Sequence, residues 1–149
     1  MTGVTAEGFQ IDRDFSAPPA AVFRAWTTAE HFAVWFGGKD VQVPADRLDF
    51  EATVGRPWSA TMVLPDGGTI DWAGEFVEVV PDERLVLTIT DQPGSAGRLA
   101  ITVELTPTET GTHMRMTQQA PGFTTEQREA TIDGWQTFLD VLQGIAETD

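Results

Sequence analysis

In the last quarter of the chain, apolar residues recur every three or four positions, the spacing of one helical face. This stripe consists of Ile132, Trp135, Phe138, Leu139, Leu142 and Ile145. Thr124 and Gln127 have the capping-box spacing, in which each side chain bonds the backbone N–H of the other residue. The pattern predicts one amphipathic helix over residues 123–146. Gly134 lies within this helix, and we expect it to allow close approach to a sheet or a ligand.

Between residues 47 and 119 the apolar period changes to two, which is typical of strands with one buried face. Alternating stretches span residues 47–53, 58–64, 70–79, 85–89, 99–105 and 112–118. The Pro65-Asp66-Gly67-Gly68 segment predicts a tight hairpin turn between two of them. Trp72 and Val77 have opposite parity within one stretch, so we expect a bulge near Gly74.

The N-terminal part predicts a strand and two short helices. Phe9, Ile11 and Phe15 share one strand face, and Pro18-Pro19 then starts a helix. Thr27 and Glu30 have the spacing of a second capping box, whose helix ends before Gly37-Gly38. Taken together, the elements predict a single α+β domain over residues 1–149. A curved antiparallel sheet of six to seven strands would wrap around the C-terminal helix.

The charge of the chain argues against several kinds of partner. The 149 residues carry a formal net charge of −14, with nine basic residues against 23 acidic ones. Phosphate backbones and anionic lipids draw most of their affinity from Lys and Arg, so we expect no nucleic-acid or membrane partner. Residues 1–8 lack a signal-peptide pattern, and no apolar stretch reaches the ~20 residues that span a bilayer. We therefore expect a cytoplasmic protein, and the sequence leaves a homodimer open.

Cofactor and nucleophile chemistry have little support in the residue types present. The sequence contains no cysteine, which excludes a disulfide scaffold, a zinc ribbon and a thiol nucleophile. Its two histidines, His31 and His113, belong to no cluster with metal-ligand spacing. We expect no metal, no cofactor and no assembled catalytic set.

The order and spacing of several short motifs resemble the START-like (SRPBCC) superfamily. The similarity is strongest to its branch of homologues of the activator of the heat-shock-protein ATPase. The motifs are APPAAVFRAW at 17–26, WFG at 35–37, PDG at 65–67, GEFVEVVP at 74–81, ERLVLT at 83–88, Gly122-Phe123, and Gly134-Trp135 with Leu139 and Leu142. The resemblance covers the chain from about Phe9 to its end. It implies a helix-grip fold with a cavity between the sheet and the C-terminal helix.

The chain departs from the family pattern at three positions. Gly55-Arg56 replaces a frequent double glycine, and Pro81-Asp82 replaces a double proline. Ile89 stands where the family often has an aromatic residue, so we expect an enlarged or reshaped cavity there. The additional domain of a true chaperone activator is not found in this sequence, so the family name does not give the function.

The resemblance implies that the concave sheet face and the inner helix stripe converge on a binding site for a small, mostly apolar molecule. Aromatic and methionine side chains suit such a site because they adapt to varied apolar shapes. Gln118 is the polar candidate for orienting a ligand. The candidate binding residues are Trp35, Trp58, Met62, Trp72, Phe76, Leu87, Ile89, Met114, Met116, Gln118, Phe123, Trp135 and Phe138.

Two other functions remain open at this stage. Family members include cyclases and dehydratases that act on polyketide-like substrates, and such an enzyme needs an ionisable group in its cavity. Asp71, Glu75 and His113 are the candidates for that group. Alternatively, the acidic surface or a sheet edge binds a protein partner, which makes the domain an interaction module.

Overall fold

The computed structural model describes residues 2–38, 40–94 and 97–148. Within these residues the chain forms three α-helices and one antiparallel sheet of eight strands. The elements are β1 (Gly3–Val4), β2 (Gly8–Phe15), α1 (Pro19–Thr27), α2 (Ala29–Trp35), β3 (Leu48–Asp49), β4 (Pro57–Val63), β5 (Thr69–Val80), β6 (Arg84–Ile89), β7 (Leu99–Pro107), β8 (Thr112–Gln119) and α3 (Thr125–Thr148). Their order across the sheet is β1-β2-β8-β7-β6-β5-β4-β3.

The α+β helix-grip architecture predicted from the sequence is confirmed. The long helix α3 packs on the inner face of the sheet, and α1 and α2 pack against α3. On α3, the residues predicted for the apolar stripe face the core, with Ile132, Trp135, Leu139 and Leu142 buried. The sheet has eight strands rather than six to seven because the two-residue strand β1 pairs with β2. Two residues are too few to produce a detectable alternation.

The predicted strand over residues 47–53 is largely wrong. The segment begins with a 3₁₀ turn at Ala45–Arg47, and only β3 pairs with β4. Extension of this pairing would place residue 51 opposite Pro57, which has no N–H to donate to the ladder. Instead, the Thr53 N–H donates to Glu51 O at 2.8 Å and turns the chain. Phe50 still packs inward, with its ring centroid 4.0 Å from that of Phe32.

The two predicted capping boxes have opposite outcomes. At the start of α3, the Thr124 N–H donates to Gln127 Oε1 at 2.8 Å and the Gln127 N–H donates to Thr124 Oγ1 at 3.1 Å, which confirms the first. The second is wrong, because Thr27 belongs to the last turn of α1. Its hydroxyl donates to Phe23 O at 2.8 Å, and α2 begins after Thr28 without a side-chain cap.

Strand β5 contains the predicted bulge, but three residues beyond Gly74. Phe76 pairs with Leu87 and Glu78 pairs with Val86, which leaves Val77 as the extra residue. Gly74 has a different role, because the indole of Trp58 crosses it to donate to Thr88 O at 2.9 Å. A side chain at position 74 would occupy that path.

Candidate functional site

A pocket of about 740 Å³ lies between the inner face of the sheet and α3. Its base is formed by aromatic and aliphatic side chains from β5, β6 and α3 and by the amide side chain of Gln118 from β8. Among the sequence candidates, the pocket brings together Trp72, Ile89, Gln118, Phe123, Trp135 and Phe138. These residues come from distant parts of the chain, and the wrapping of the sheet around the helix is what places them side by side.

The other sequence candidates lie in the packed core and do not line this pocket. They are Trp35, Trp58, Met62, Phe76, Leu87, Met114 and Met116, all buried. Neighbouring side chains fill the space around them. The Trp35 indole, for example, packs edge-on against Trp26 at 5.0 Å between ring centroids and donates to Ala25 O at 2.8 Å.

Trp135 and Gln118 form the polar contact at the centre of the pocket wall. Trp135 Nε1 donates to Gln118 Oε1 at 2.9 Å, and both side chains are buried. From the sequence, each of them is predicted to be available to a ligand, whereas the structure pairs them with each other. The indole N–H is therefore already satisfied by the protein.

Gly134 contributes open space to the pocket rather than a close contact. It lines the pocket, and a Cβ built on it would meet no heavy atom within 4 Å outside its own helix and chain neighbours. The expectation that Gly134 allows close approach to the sheet is therefore wrong, and close approach to a ligand stays a prediction. A glycine in a helix interior lowers helix stability by about 1 kcal/mol relative to alanine. The presence of Gly134 at this position therefore needs another explanation.

The mouth of the pocket is polar and was not identified from the sequence. Residues on the segments after β6 and before α3 form it, and Phe36 adds an aromatic wall. The pocket-lining residues that were not identified are Phe36, Thr90, Asp91, Gln92, Gly97, Arg98, Leu99, Pro121 and Thr131. Gly134 was noted in the sequence but not as a residue that lines the pocket. Loop residues have no periodicity to reveal their direction, whereas the position of Phe36 within the WFG motif was an available signal.

Arg98 and Asp91 bring charge to this mouth. Arg98 donates to Gly97 O at 3.1 Å and to Pro93 O at 3.4 Å. Asp91 is exposed. The charged side chains of the pocket are thus at its exposed rim, whereas its buried residues are uncharged.

The family model of the "Activator of Hsp90 ATPase homolog 1-like protein" matches residues 16–147. The chain belongs to this family. No curated protein sequence is significantly similar to it. Ile89, the position where the sequence departs from the family's frequent aromatic residue, is on the pocket wall.

Solved structures share the fold over nearly the whole chain. Protein CV1439 from Chromobacterium violaceum is 24% identical, with a TM-score of 0.84, and the match covers 96% of this chain and 99% of that one. The AHSA1 protein from Silicibacter pomeroyi is 22% identical, with a TM-score of 0.79 over 91% and 94% of the two chains. Protein MLL2253 from Mesorhizobium loti is 30% identical, with a TM-score of 0.66 over 91% and 93%.

The three candidate acid–base groups lie outside the pocket. Asp71 and Glu75 are on the outer face of β5, where Asp71 accepts a hydrogen bond from Thr61 Oγ1 at 2.9 Å. His113 is on the outer face of β8, with Nδ1 2.7 Å from Asp14 Oδ1 and Nε2 3.3 Å from Asp12 Oδ1. None of the three predicted acid–base groups therefore lies in the pocket.

Two other depressions lie on the surface. One, of about 570 Å³, is polar and lies on the outer face of β3, β4 and β5. The other, of about 620 Å³, lies between α2, the segment after it and α3.

Among the residues that the structure describes, no group of three or more His, Cys, Asp or Glu side chains is placed to hold a metal ion. No helix in this part of the chain is both long and apolar enough to cross a membrane.

Proposed function

We propose that the protein binds a small, mostly apolar molecule in the pocket between the sheet and α3. One observation carries the proposal: the pocket of about 740 Å³, walled by Trp72, Ile89, Trp135 and Phe138. Ligand sites typically measure about 300–1,000 Å³ and combine apolar walls with a few polar groups. This pocket has that size and that distribution of polarity.

The unfilled space beside Gly134 supports the same proposal. Protein cores are packed to nearly the density of organic crystals, and unfilled apolar volume is destabilising. The chain places a glycine in a helix interior at the pocket wall, where even a methyl group has room. A ligand that occupies this space offsets both costs.

The enzyme alternative has less support. A cyclase or dehydratase acting on a polyketide-like substrate needs a proton donor or acceptor within reach of the substrate. Asp71, Glu75 and His113 lie on the outer face of the sheet, and Asp91 is exposed at the mouth. Binding without catalysis is therefore the function that the geometry supports best.

The interaction-module hypothesis rests on the net charge of −14 and the family description. It remains a prediction, which a pull-down at low and high salt tests. A partner that is lost at high salt would support it, because screening weakens contacts between exposed charges.

A titration with N-phenyl-1-naphthylamine tests the proposed function. This neutral apolar dye becomes strongly fluorescent in a dry environment. We expect a saturable, single-site rise in its emission, and native mass spectrometry beforehand shows whether the site already holds a molecule. A linear, non-saturating signal from an unoccupied protein would contradict the proposal.

A further inference from the structure

Gln118 is the buried polar residue of the pocket between the sheet and α3. It is 8% exposed and lines the pocket beside Trp135. An indole nitrogen only donates, so the amide atom 2.9 Å from Trp135 Nε1 is the oxygen of Gln118. This contact fixes the orientation of the amide group. It leaves Gln118 Nε2, with its two hydrogens, as the amide atom that the indole does not engage.

Gln118 Nε2 is an unpaired donor that is still accessible. It donates to no atom of the described residues. In this part of the chain, the side-chain nitrogens that lack a hydrogen-bond partner and are fully enclosed by protein are His31 Nδ1 and Trp72 Nε1. Gln118 Nε2 is not among them, so it keeps accessible surface. Because β8 is an interior strand, paired with β2 and β7, this surface lies on the inner face that borders the pocket.

The other polar side chains of the pocket are partnered or lie at its exposed mouth. The Thr131 hydroxyl donates to the backbone of its own helix at 2.8 Å, and Thr90 Oγ1 accepts the Gln92 N–H at 3.1 Å. Gln92 and the charged residues of the pocket are exposed. The N–H₂ group of Gln118 is therefore the side-chain group best placed to bind the polar part of a ligand inside the pocket.

We infer that the pocket selects ligands with a neutral acceptor atom, such as the oxygen of a ketone or an ester, that accepts a hydrogen bond from Gln118 Nε2. Trp135 is the positioning residue, because its N–H holds the amide oxygen and so presents the amide to the pocket as a donor. This inference rests on the proposed function and specifies the ligand class. A ligand whose polar group only donates would leave Gln118 Nε2 without a partner.

The charges around the pocket favour a neutral acceptor over a carboxylate. A buried carboxylate needs a paired cation. Among the pocket-lining residues that the structure describes, Arg98 is the one cation, and it is exposed whereas Gln118 is buried. The net charge of −14 opposes an anionic ligand further.

Three compounds that differ at one bridging group test the inference. Benzophenone has a C=O acceptor between its two rings, diphenylmethane has a CH₂ group, and diphenylamine has an N–H donor. Each compound displaces N-phenyl-1-naphthylamine from the wild type, from Gln118→Met and from Trp135→Phe, which gives a dissociation constant for every combination. Gln118→Met keeps the length of the side chain but removes the amide. Trp135→Phe keeps the amide but releases it to rotate.

The preferences of the three proteins should differ in a defined way. In Gln118→Met, the preference for benzophenone over diphenylmethane should fall at least about threefold, as one hydrogen bond is lost. In Trp135→Phe, the preference for benzophenone over diphenylamine should fall by a similar factor, because a rotated amide offers its oxygen to the N–H of the amine. A purely structural role of Trp135 would weaken the binding of all three compounds alike.

The infrared C=O stretch of bound benzophenone gives a second readout. It should lie at lower frequency in the wild type than in Gln118→Met, and an unchanged stretch would overturn the inference. Equal preferences in the wild type and Gln118→Met would also overturn it, and equal preferences in the wild type and Trp135→Phe would overturn the role of Trp135. Each of these results leaves the proposed function intact. If Gln118→Met does not fold, the Trp135→Phe comparison decides, and if neither the dye nor any compound binds, the proposed function fails as well.

Discussion

Trp135 Nε1 donates to Gln118 Oε1 at 2.9 Å and thereby joins the middle of α3 to the inner face of β8. The contact lies at the pocket wall and is buried on both sides. It satisfies two polar groups that would otherwise be costly in an apolar site. The same pair therefore stabilises the helix on the sheet and fixes which atom of Gln118 is presented to the pocket.

Trp135→Phe should lower the free energy of unfolding by about 1 kcal/mol more than Trp72→Phe does. Both changes remove an indole N–H and similar apolar area, but only the Trp135 N–H has a partner. Urea unfolding of the two variants and the wild type measures the difference. An equal loss in the two variants would show that the Trp135 hydrogen bond contributes nothing net.

Gly74→Ala should be strongly destabilising. A Cβ at this position would overlap Thr88 O and lie 2.6 Å from Trp58 Nε1, and the backbone oxygen has no room to move within the sheet. We expect a loss of about 3 kcal/mol or more in unfolding free energy. Gly3→Ala is the matched control, since its Cβ would meet nothing within 4 Å. A Gly74→Ala protein as stable as the control would refute the assigned role of Gly74.

Much of the fold could be predicted because periodicity reports burial. The stripe on α3 and the alternation along β4 to β8 each depend on local sequence, and both faces were assigned correctly. The prediction of a strand over residues 47–53 was largely wrong because alternation shows which side chains face inward. It does not show whether the backbone pairs with a neighbouring strand. Phe50 is buried as the pattern indicates, although its backbone has left the sheet.

The site was less predictable because its wall depends on contacts between distant residues. The pairing of Trp135 with Gln118 depends on how α3 lies across β8, which neither local pattern contains. Met114 and Met116 share the inner face with Gln118, yet they lie in the packed core. Inner parity alone therefore does not distinguish a core residue from a pocket residue.

Arg13 shows that parity can also reveal an unexpected contact. It shares the inner face of β2 with Phe9, Ile11 and Phe15, and its guanidinium reaches α3. There Nη1 donates to Asp140 Oδ1 at 2.9 Å and Nη2 donates to Gln136 Oε1 at 2.6 Å. An arginine at an inward position was a signal in the sequence that the helix would supply polar partners.

Arg13→Met should therefore lower the free energy of unfolding by about 1–2 kcal/mol. The expected loss is no larger because Asp140 is exposed, and exposed ion pairs contribute little. Arg56→Met is the control: Arg56 pairs on the surface with Asp49 and Glu51. Such exposed pairs contribute little, so the control should stay within about 0.5 kcal/mol of the wild type. Chemical unfolding of both variants checks the ranking, and a reversed order would contradict it.

Glu147 gives the end of α3 a pH-dependent contact. Its carboxylate accepts hydrogen bonds from the Ser16 N–H and from Gln143 Nε2, both at 2.9 Å. The Ser16 bond, followed by the Gln143 bond, lowers the pKa of Glu147 below its ordinary value of 4.5. The contact thus stabilises the fold fully above that value, and the stabilisation is lost as pH falls through the lowered pKa.

Glu147→Gln should therefore be less stable than the wild type near neutral pH, and the gap should close on acidification. Urea unfolding of the two proteins from about pH 6 to about pH 3 measures it. A gap that stays constant over this range would show that the ionised carboxylate is not what stabilises the contact.

Binding of N-phenyl-1-naphthylamine to Gly134→Leu and Gly144→Leu tests the central claim most directly. Both glycines lie on α3 with open space around a built Cβ, but only Gly134 lines the pocket. Each change should preserve or raise stability, since leucine favours a helix by up to about 1 kcal/mol over glycine. We predict that Gly134→Leu weakens dye binding at least about tenfold. Its four-carbon side chain fills part of the pocket and reduces the apolar surface that the dye can bury there. Gly144→Leu should bind the dye like the wild type. Unchanged binding in a folded Gly134→Leu protein would place the dye elsewhere and contradict the account.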